Sequence, residues 1–254
     1  MSGQAGTQLA LVVGFAAIAI TIARVAGVGL AGALGRAAGR ATVQLLAVGA
    51  VLTVVLDHEW LAAVFVAVML TTATLTARGR IGVPGMVPEV VVAIAIPAGL
   101  AAAALLAAGA VPGSVIAAIA TIGILIGGAM SATSLTGRAL VRELNRDLPR
   151  IEARLCLGQR VREASGEAVR HAIVSGLVPA LDQTRTVGLI ALPGTFVGLV
   201  LGGAHPAEAA RVQLLVLVGL LAVELSAAVL AAHAIVRHLT VSGAERLAPL
   251  RPGE

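Results

Sequence analysis

The sequence contains no lysine and no tyrosine, and it has a single cysteine and a single tryptophan. Without lysine the chain has neither a Walker A lysine nor a Schiff-base lysine, so any ATP hydrolysis that drives it must take place in another chain. Aromatic residues make up only 2%, which removes the stacking groups of single-strand binders, and we expect no nucleic-acid partner. The lone Cys156 excludes an intramolecular disulfide and a CxxC metal or redox site.

Apolar residues dominate what is present, because 58% of the 254 residues are hydrophobic and only 12% are charged. Such a composition predicts a chain that needs lipid as its solvent. About seven segments reach the roughly 20 residues that a helix needs to cross a bilayer. The sequence therefore predicts an all-α, polytopic integral membrane protein with one transmembrane domain over 1–254. The predicted spans are 8–27, 38–56, 60–77, 87–109, 114–136, 186–204 and 211–236.

The distribution of arginine predicts the orientation of these spans. Arginine-rich stretches follow the first, third, fifth and seventh predicted spans, whereas the other connections carry few basic residues. Cytoplasmic loops are enriched in basic residues. The N-terminus is therefore expected outside, and the C-terminus in the cytoplasm.

One charged segment, 137–185, interrupts the apolar pattern between the fifth and sixth predicted spans. Its apolar residues recur at steps of three and four, and arginine recurs at every fourth position from 138 to 154. This spacing predicts an amphipathic cytoplasmic region, with a helix that begins near Pro149 and ends at Gly158. Such a helix either lies on anionic lipid or docks a cytoplasmic partner.

Two motifs carry a resemblance to known transporters. Residues 152–158, Glu-Ala-Arg-Leu-Cys-Leu-Gly, are similar to the EAAxxxG loop of ABC transporter permeases, with arginine in place of the second alanine. Residues 182–194 resemble the D-x-x-[KR]-T-V-G-L-x-x-L-P-G signature of the FetB family, which includes a bacterial iron-export permease and plant aluminium-sensitivity proteins. The resemblance runs from about 36 to 236, although Gly128 stands where the family pattern G-N-x-M has asparagine.

The resemblance implies a permease subunit of an ABC-type transporter in the cell inner (plasma) membrane. Such a subunit exports iron or another metal ion, is not itself an enzyme, binds no cofactor, and pairs as a homodimer with two copies of a FetA-like ATP-binding subunit that holds ATP and Mg. Two alternatives are a passive metal channel or carrier without an ATPase, and an ABC exporter of a non-metal cargo such as a sugar nucleotide. The residues implied in ATPase coupling are Arg150, Glu152, Ala153, Arg154, Gly158 and Arg160, and the signature residues are Asp182, Arg185, Thr186, Gly188, Leu192, Pro193 and Gly194.

A possible cargo path contains Glu224 in the middle of the last predicted span, where a charge is costly. Gln44, Met130 and Ser131 offer further oxygen and thioether ligands, while the identity of any metal stays unknown. Glu224 could instead be a protonated acid bonded to a neighbouring hydroxyl group, and Met130 could simply pack in the core.

The sixth predicted span carries two further expectations. Asp182 and Arg185 are expected to form an ion pair at its cytoplasmic mouth, since they are three residues apart on one helical face. Pro193 is expected to bend the span from within. Glycines at every fourth position, from 194 to 202 and at 123 and 127, predict a packing seam within one subunit or between two.

Overall fold

The computed structural model of the protein describes residues 2–58, 60–111 and 114–240. Within these ranges the regular elements are α-helices, accompanied by an isolated bridge between Val187 and Ala191, so the all-α prediction is confirmed there. The helices are α1 (Ser2–Val25), α2 (Ala31–Asp57), α3 (Trp60–Ile81), α4 (Val87–Ala107), α5 (Val115–Arg146), α6 (Leu148–Cys156), α7 (Val161–Ala164), α8 (Gly166–Thr186), α9 (Gly194–Leu201) and α10 (Pro206–Leu239).

Six of the helices are long and apolar enough to cross a membrane, counted over the described part of the chain. They correspond to six of the seven predicted spans, although α2 and α10 begin earlier than expected and α5 continues to Arg146. These candidate spans are Gly6–Val25, Ala31–Val55, Trp60–Ile81, Val87–Ala107, Val115–Arg146 and Pro206–Leu239.

The prediction of one spanning helix at 186–204 is wrong. Helix α8 ends at Thr186, Gly188 takes a positive φ of 82°, and Pro193 caps the separate helix α9. The eight residues of α9 rise about 12 Å, far less than the roughly 30 Å of a hydrocarbon core. Pro193 therefore precedes a helix instead of bending one from within, since its fixed φ and missing N–H suit a helix start.

The chain divides into two compact units, Met1–Leu61 and Ala62–Glu254. The first unit is a hairpin of α1 packed against α2. Its short connection contains Gly27 and Gly29, both in the left-handed region with φ of 65° and 70°. Because this region strains residues with a Cβ, the two glycines allow the chain to reverse there.

The second unit is built around the two longest helices, α5 and α10, which pack against each other and against α4 and α8. Small residues permit this packing, since α10 buries Ala227, Ala228, Ala231 and Ala232 in a continuous face. Ser114 caps α5 by accepting a hydrogen bond from the amide of Ala117, at 3.2 Å. At 32 and 34 residues, α5 and α10 are about 48 and 51 Å long and exceed the hydrocarbon thickness.

Contacts at glycines fix how the helices lie along one another. A Cβ added to Gly123 would lie 2.6 Å from Met69 Cε, and one added to Gly137 would lie 2.6 Å from Ile81 Cγ1, so α3 and α5 run in the same direction. Gly137 also faces Ile235 of α10, at 3.3 Å. One predicted glycine seam therefore forms in part: Gly123 packs within the subunit, whereas Gly127 meets nothing within 4 Å.

Candidate functional site

Glu224 occupies the centre of α10, midway between Arg211 and Arg237, as the sequence predicted. Its side chain is only 8% exposed, and among the described residues it has no hydrogen-bond or ion-pair partner. It packs over Gly128 of α5, where an added Cβ would lie 2.9 Å from Glu224 Oε1 and would also collide with Leu220. The missing side chain at 128 thus creates the space that holds the carboxyl group.

Two other residues of the predicted cargo path, Met130 and Ser131, lie on α5 and make no hydrogen bond to Glu224. Met130 packs against the apolar core, and its carbonyl accepts a hydrogen bond from Ser134 Oγ at 2.7 Å. Ser131 is half-buried on α5, and Gln44 lies exposed on α2 in the first unit. Over the described ranges, no group of three or more His, Cys, Asp or Glu side chains could hold a metal ion. The roles of Gln44, Met130, Ser131 and Glu224 in a cargo path therefore remain predictions.

Two hydroxyl groups on α5 are buried, and the second of them, Thr136, was not singled out from the sequence. Thr133 and Thr136 are fully buried, and neither Oγ1 has a hydrogen-bond partner among the described residues. Thr136 contacts Gly176 of α8, where an added Cβ would lie 2.9 Å from the Thr136 amide nitrogen. Threonine is common in apolar helices, so only the contact with Gly176 distinguishes Thr136.

The signature residues build the interruption between α8 and α9. Thr186 closes the last turn of α8 by donating from Oγ1 to the Asp182 carbonyl, at 2.9 Å. Its own carbonyl accepts the amide of Ile190, at 3.0 Å, and the Gly188 amide donates to the Ala191 carbonyl, at 2.9 Å. Leu192 is exposed, Pro193 caps α9, and Gly194 is the first residue of that helix. The signature therefore encodes a break in a helix, which we call the helix break, residues 187–193.

The segment from α8 to α9 runs along most of α10, in the opposite direction. Near the C-terminal end of α10, Ile173 lines a surface cavity with His233 and Val236. Near the N-terminal end, Leu199 lines another with Ala209 and Val212. The helix break lies between these two levels, and so does the middle of α10, which carries Glu224.

The ion pair between Asp182 and Arg185 is present but not where the sequence placed it. Asp182 Oδ1 and Arg185 Nη1 are 4.0 Å apart, and the side chains are 64% and 75% exposed. They lie in the last turns of α8, not at the start of a spanning helix. Because Gly176 touches Thr136, six further residues place Asp182 about 9 Å along α5 toward its apolar centre. The pair therefore lies beside the apolar part of α5.

The segment that was predicted to couple to an ATPase forms the helix α6 with the predicted bounds. Pro149 lies in its first turn, Ile151 is buried, and Gly158 with φ of 86° follows its end. Two of the predicted coupling residues bond within the chain, because Arg150 and Arg154 both approach Glu167 Oε2, at 3.3 and 3.2 Å.

Arg154 also donates to the carbonyl of Ala164 at 3.2 Å, which joins α6 to α7. The adjacent guanidinium of Arg150, aided by the hydrogen bond from Arg154, holds the pKa of the Glu167 carboxyl below its usual range. The other predicted coupling residues, Glu152, Ala153, Gly158 and Arg160, are exposed.

The long apolar helices, the uncovered apolar surfaces and the charged region around α6 define a polytopic, all-helical membrane protein. Its sequence is 33% identical over 204 residues to the UPF0014 membrane protein STAR2 of Oryza sativa subsp. japonica, covering 79% of this chain and 72% of that protein. It is 30% identical over 181 residues to the "Probable iron export permease protein FetB" of Escherichia coli (strain K12), covering 70% of each.

A third relative is the protein ALUMINUM SENSITIVE 3 of Arabidopsis thaliana, 41% identical over 95 residues, which are 37% of this chain and 35% of that protein. The model of the family described as "Uncharacterised protein family (UPF0014)" matches residues 6–240. The chain belongs to the UPF0014 family, and it is a multi-pass protein of the cell inner membrane. The family resemblance predicted from the sequence is confirmed. No solved structure matches the chain.

Proposed function

We propose that this chain is the membrane-spanning subunit of an ABC-type transporter that exports iron or another metal ion. The observation that carries the proposal is the likeness to the "Probable iron export permease protein FetB", which extends over 70% of both chains. In this proposal residues 1–254 form one permease domain, and two copies pair with two ATP-binding subunits. The permease is not an enzyme and holds no cofactor, while ATP and Mg bind to the partner.

The absence of lysine supports the separate ATPase, because the phosphate-binding lysine of a Walker A motif has to come from another chain. The geometry of α6 and α7 supports a docking role for them. Salt bridges from Arg150 and Arg154 to Glu167 connect α6 to the first turn of α8. A displacement of α6 is therefore transmitted to the long helix α8. Leu157, 84% exposed, offers an apolar contact beside this anchored helix.

The alternatives differ in their partner or in their cargo. A passive carrier would use the amphipathic segment only to bind lipid, and a different ABC exporter would carry a non-metal solute. The Asp182–Arg185 pair and the isolated Glu224 are compatible with a charged cargo, which supports an ion over an apolar solute.

The docking role is tested by charge reversal at a coupling residue that has no internal partner. The Arg160 side chain is exposed and makes no hydrogen bond or ion pair to any described residue, so Arg160→Glu leaves the bonds to Glu167 intact. The matched control is Arg80→Glu, at an exposed arginine near the end of α3. We expect Arg160→Glu to abolish co-purification of the ATP-binding subunit, while the Arg80 variant retains it.

Equal co-purification by both variants, each confirmed as folded by its elution on size exclusion, would contradict the docking assignment. A loss with both variants would instead point to a general electrostatic effect of the cytoplasmic face.

A further inference from the structure

A cavity of about 690 Å³ opens at the surface between α7, the first turns of α8 and the C-terminal end of α10, and we call it the basic cavity. Among the described residues no Asp or Glu side chain lines it. The basic side chains that line it are Arg160, Arg162, Arg170, His233 and Arg237. A cavity whose charged groups all have one sign concentrates ions of the opposite sign, so this one attracts an anion.

The four arginines of the basic cavity are available to such an anion. Their side chains make no hydrogen bond or ion pair to any described residue, whereas Arg150 and Arg154 of α6 both bond to Glu167. Arg170 folds back over the first residue of α8, because a Cβ added to Gly166 would lie 3.6 Å from Arg170 Nη1. Since Gly166 also lines the cavity, this guanidinium group lies along the cavity wall.

The basic cavity lies at the depth of lipid headgroups. Arg237 follows Glu224, at the centre of α10, by 13 residues, which is about 20 Å of helix. The hydrocarbon of a bilayer extends about 15 Å from its middle, and the headgroups extend to about 20–22 Å. The arginines of α7 and α8 share the cavity with Arg237 and therefore lie near the same level, while Ile173 and Val236 supply an apolar part of the wall.

A second cavity, of about 580 Å³, adjoins the basic cavity at Arg237, which lines both. Its wall is mainly apolar and includes Val92 of α4 and Leu230 of α10. Leu230 lies about 9 Å along the helix from the centre of α10, which is hydrocarbon depth. Glu89 also lines this second cavity, and its Oε1 is 3.5 Å from Nδ1 of His238. Together the two cavities join a charged wall at headgroup depth to an apolar wall at acyl-chain depth.

We propose that the basic cavity binds the phosphate group of an anionic membrane lipid, whose acyl chains extend along the apolar cavity beside α10. Guanidinium groups bond phosphate oxygens in pairs, and basic pockets between transmembrane helices hold anionic headgroups. A free phosphate ion shares the charged chemistry but gains nothing from the apolar wall, so the depth and the second cavity favour a lipid. This inference goes beyond the proposed transport and depends on neither a cargo nor an ATPase.

Binding of phosphatidylglycerol with a fluorophore on one acyl chain, measured on the purified full chain in detergent, tests the site. Arg170→Gln/Arg237→Gln removes two charges from the basic cavity, and the control Arg80→Gln/Arg211→Gln removes two from exposed positions outside it. We expect the first variant to bind about thirtyfold more weakly, since each arginine near anionic lipid contributes about fivefold. The control should lose less than about twofold in about 0.15 M salt, which screens distant charges.

Equal affinities of the two double variants, whether both unchanged or both weakened, would overturn the site. Circular dichroism checks the fold of each variant, and Arg170→Gln alone, with an expected loss of about fivefold, replaces a double variant that does not fold. Arg160, which the proposed docking role uses, is left unchanged throughout. Loss of lipid binding is therefore measured independently of that role.

Unlabelled competitors identify the source of the phosphate group. Phosphatidylglycerol should displace the fluorescent lipid at least about tenfold better than phosphatidylcholine with the same acyl chains, because only the first carries a net negative charge. Equal displacement by the two lipids would overturn recognition of an anion. Inorganic phosphate, exchanged for chloride at constant ionic strength, should displace nothing. Displacement by inorganic phosphate would assign the cavity to a free ion and overturn the lipid proposal.

Discussion

Replacing Gly176 by alanine places a methyl group between the backbones of α8 and α5. The new Cβ would lie 2.9 Å from the Thr136 amide nitrogen and 3.0 Å from its Cα, and it would collide with Oγ1. A hydroxyl group can rotate, but two backbone atoms can move only if the whole helix moves. The substitution therefore separates the two helices that lie between the predicted coupling region and the helix break.

The magnitude follows from two opposing effects. Overpacking a well-packed site costs typically about 1–3 kcal/mol, and a contact with backbone favours the upper value. Alanine in a helix interior is favoured over glycine by about 1 kcal/mol. We therefore expect Gly176→Ala to lower the free energy of unfolding by about 2 kcal/mol.

The assay is unfolding by SDS titration in mixed micelles, followed by circular dichroism. Gly99→Ala is the control, because nothing lies within 4 Å of its new Cβ and it should gain up to about 1 kcal/mol from helix propensity alone. A Gly176→Ala protein as stable as this control would refute the close approach of α5 and α8.

Three further predictions concern charged groups and the space beside them. Glu224→Gln keeps the size of the side chain and removes its charge, so we expect transport to fall about tenfold or more with folding intact, and full transport would remove Glu224 from the cargo path. Gly128→Ala should cost about 1–2 kcal/mol, less than Gly176→Ala, because the side chains it meets can rotate; SDS titration measures the difference. The α6–α8 contact should be pH-dependent. Arg150 and Arg154 lower the pKa of Glu167 in the folded protein, so the contact is fully present above the usual glutamate range and is lost as pH falls through the folded pKa. Amide exchange in α6 should become faster over the same pH range. Glu167→Gln should abolish this pH dependence.

Local signals in the sequence determined much of this fold. Apolar length located six of the spans, and Pro149 and Gly158 correctly bounded α6, because the first suits a helix start and the second suits a left-handed cap. The central position of Glu224 in α10 also followed from the sequence, since it depends only on distance along one helix.

The missed features depend on contacts between distant residues. Residues 189–201 are apolar enough to resemble a span, and only the backbone at Gly188 and Pro193 shows that the helix is interrupted. The depth of Asp182 depends on the register of α8 against α5, which the contact of Gly176 with Thr136 sets. No local pattern encodes such a register.

The coupling arginines give a second example. Arg150 and Arg154 recur at helical spacing and were predicted to dock a partner. Their shared partner Glu167 lies 13 residues beyond Arg154 and is reached only because α7 folds the chain back onto α6. The spacing of charges predicted an amphipathic helix but not the ion pairs that anchor it.

ATP-dependent metal movement is the most direct test of the proposed export activity. The chain and its ATP-binding partner are reconstituted together in proteoliposomes, and accumulation of iron in the lumen is followed with ATP supplied on the side of the ATPase. The account predicts accumulation that needs both chains and hydrolysable ATP, and that falls with Arg160→Glu but not with Arg80→Glu. Iron movement that is the same without ATP or without the partner, or no iron movement at all, would contradict it.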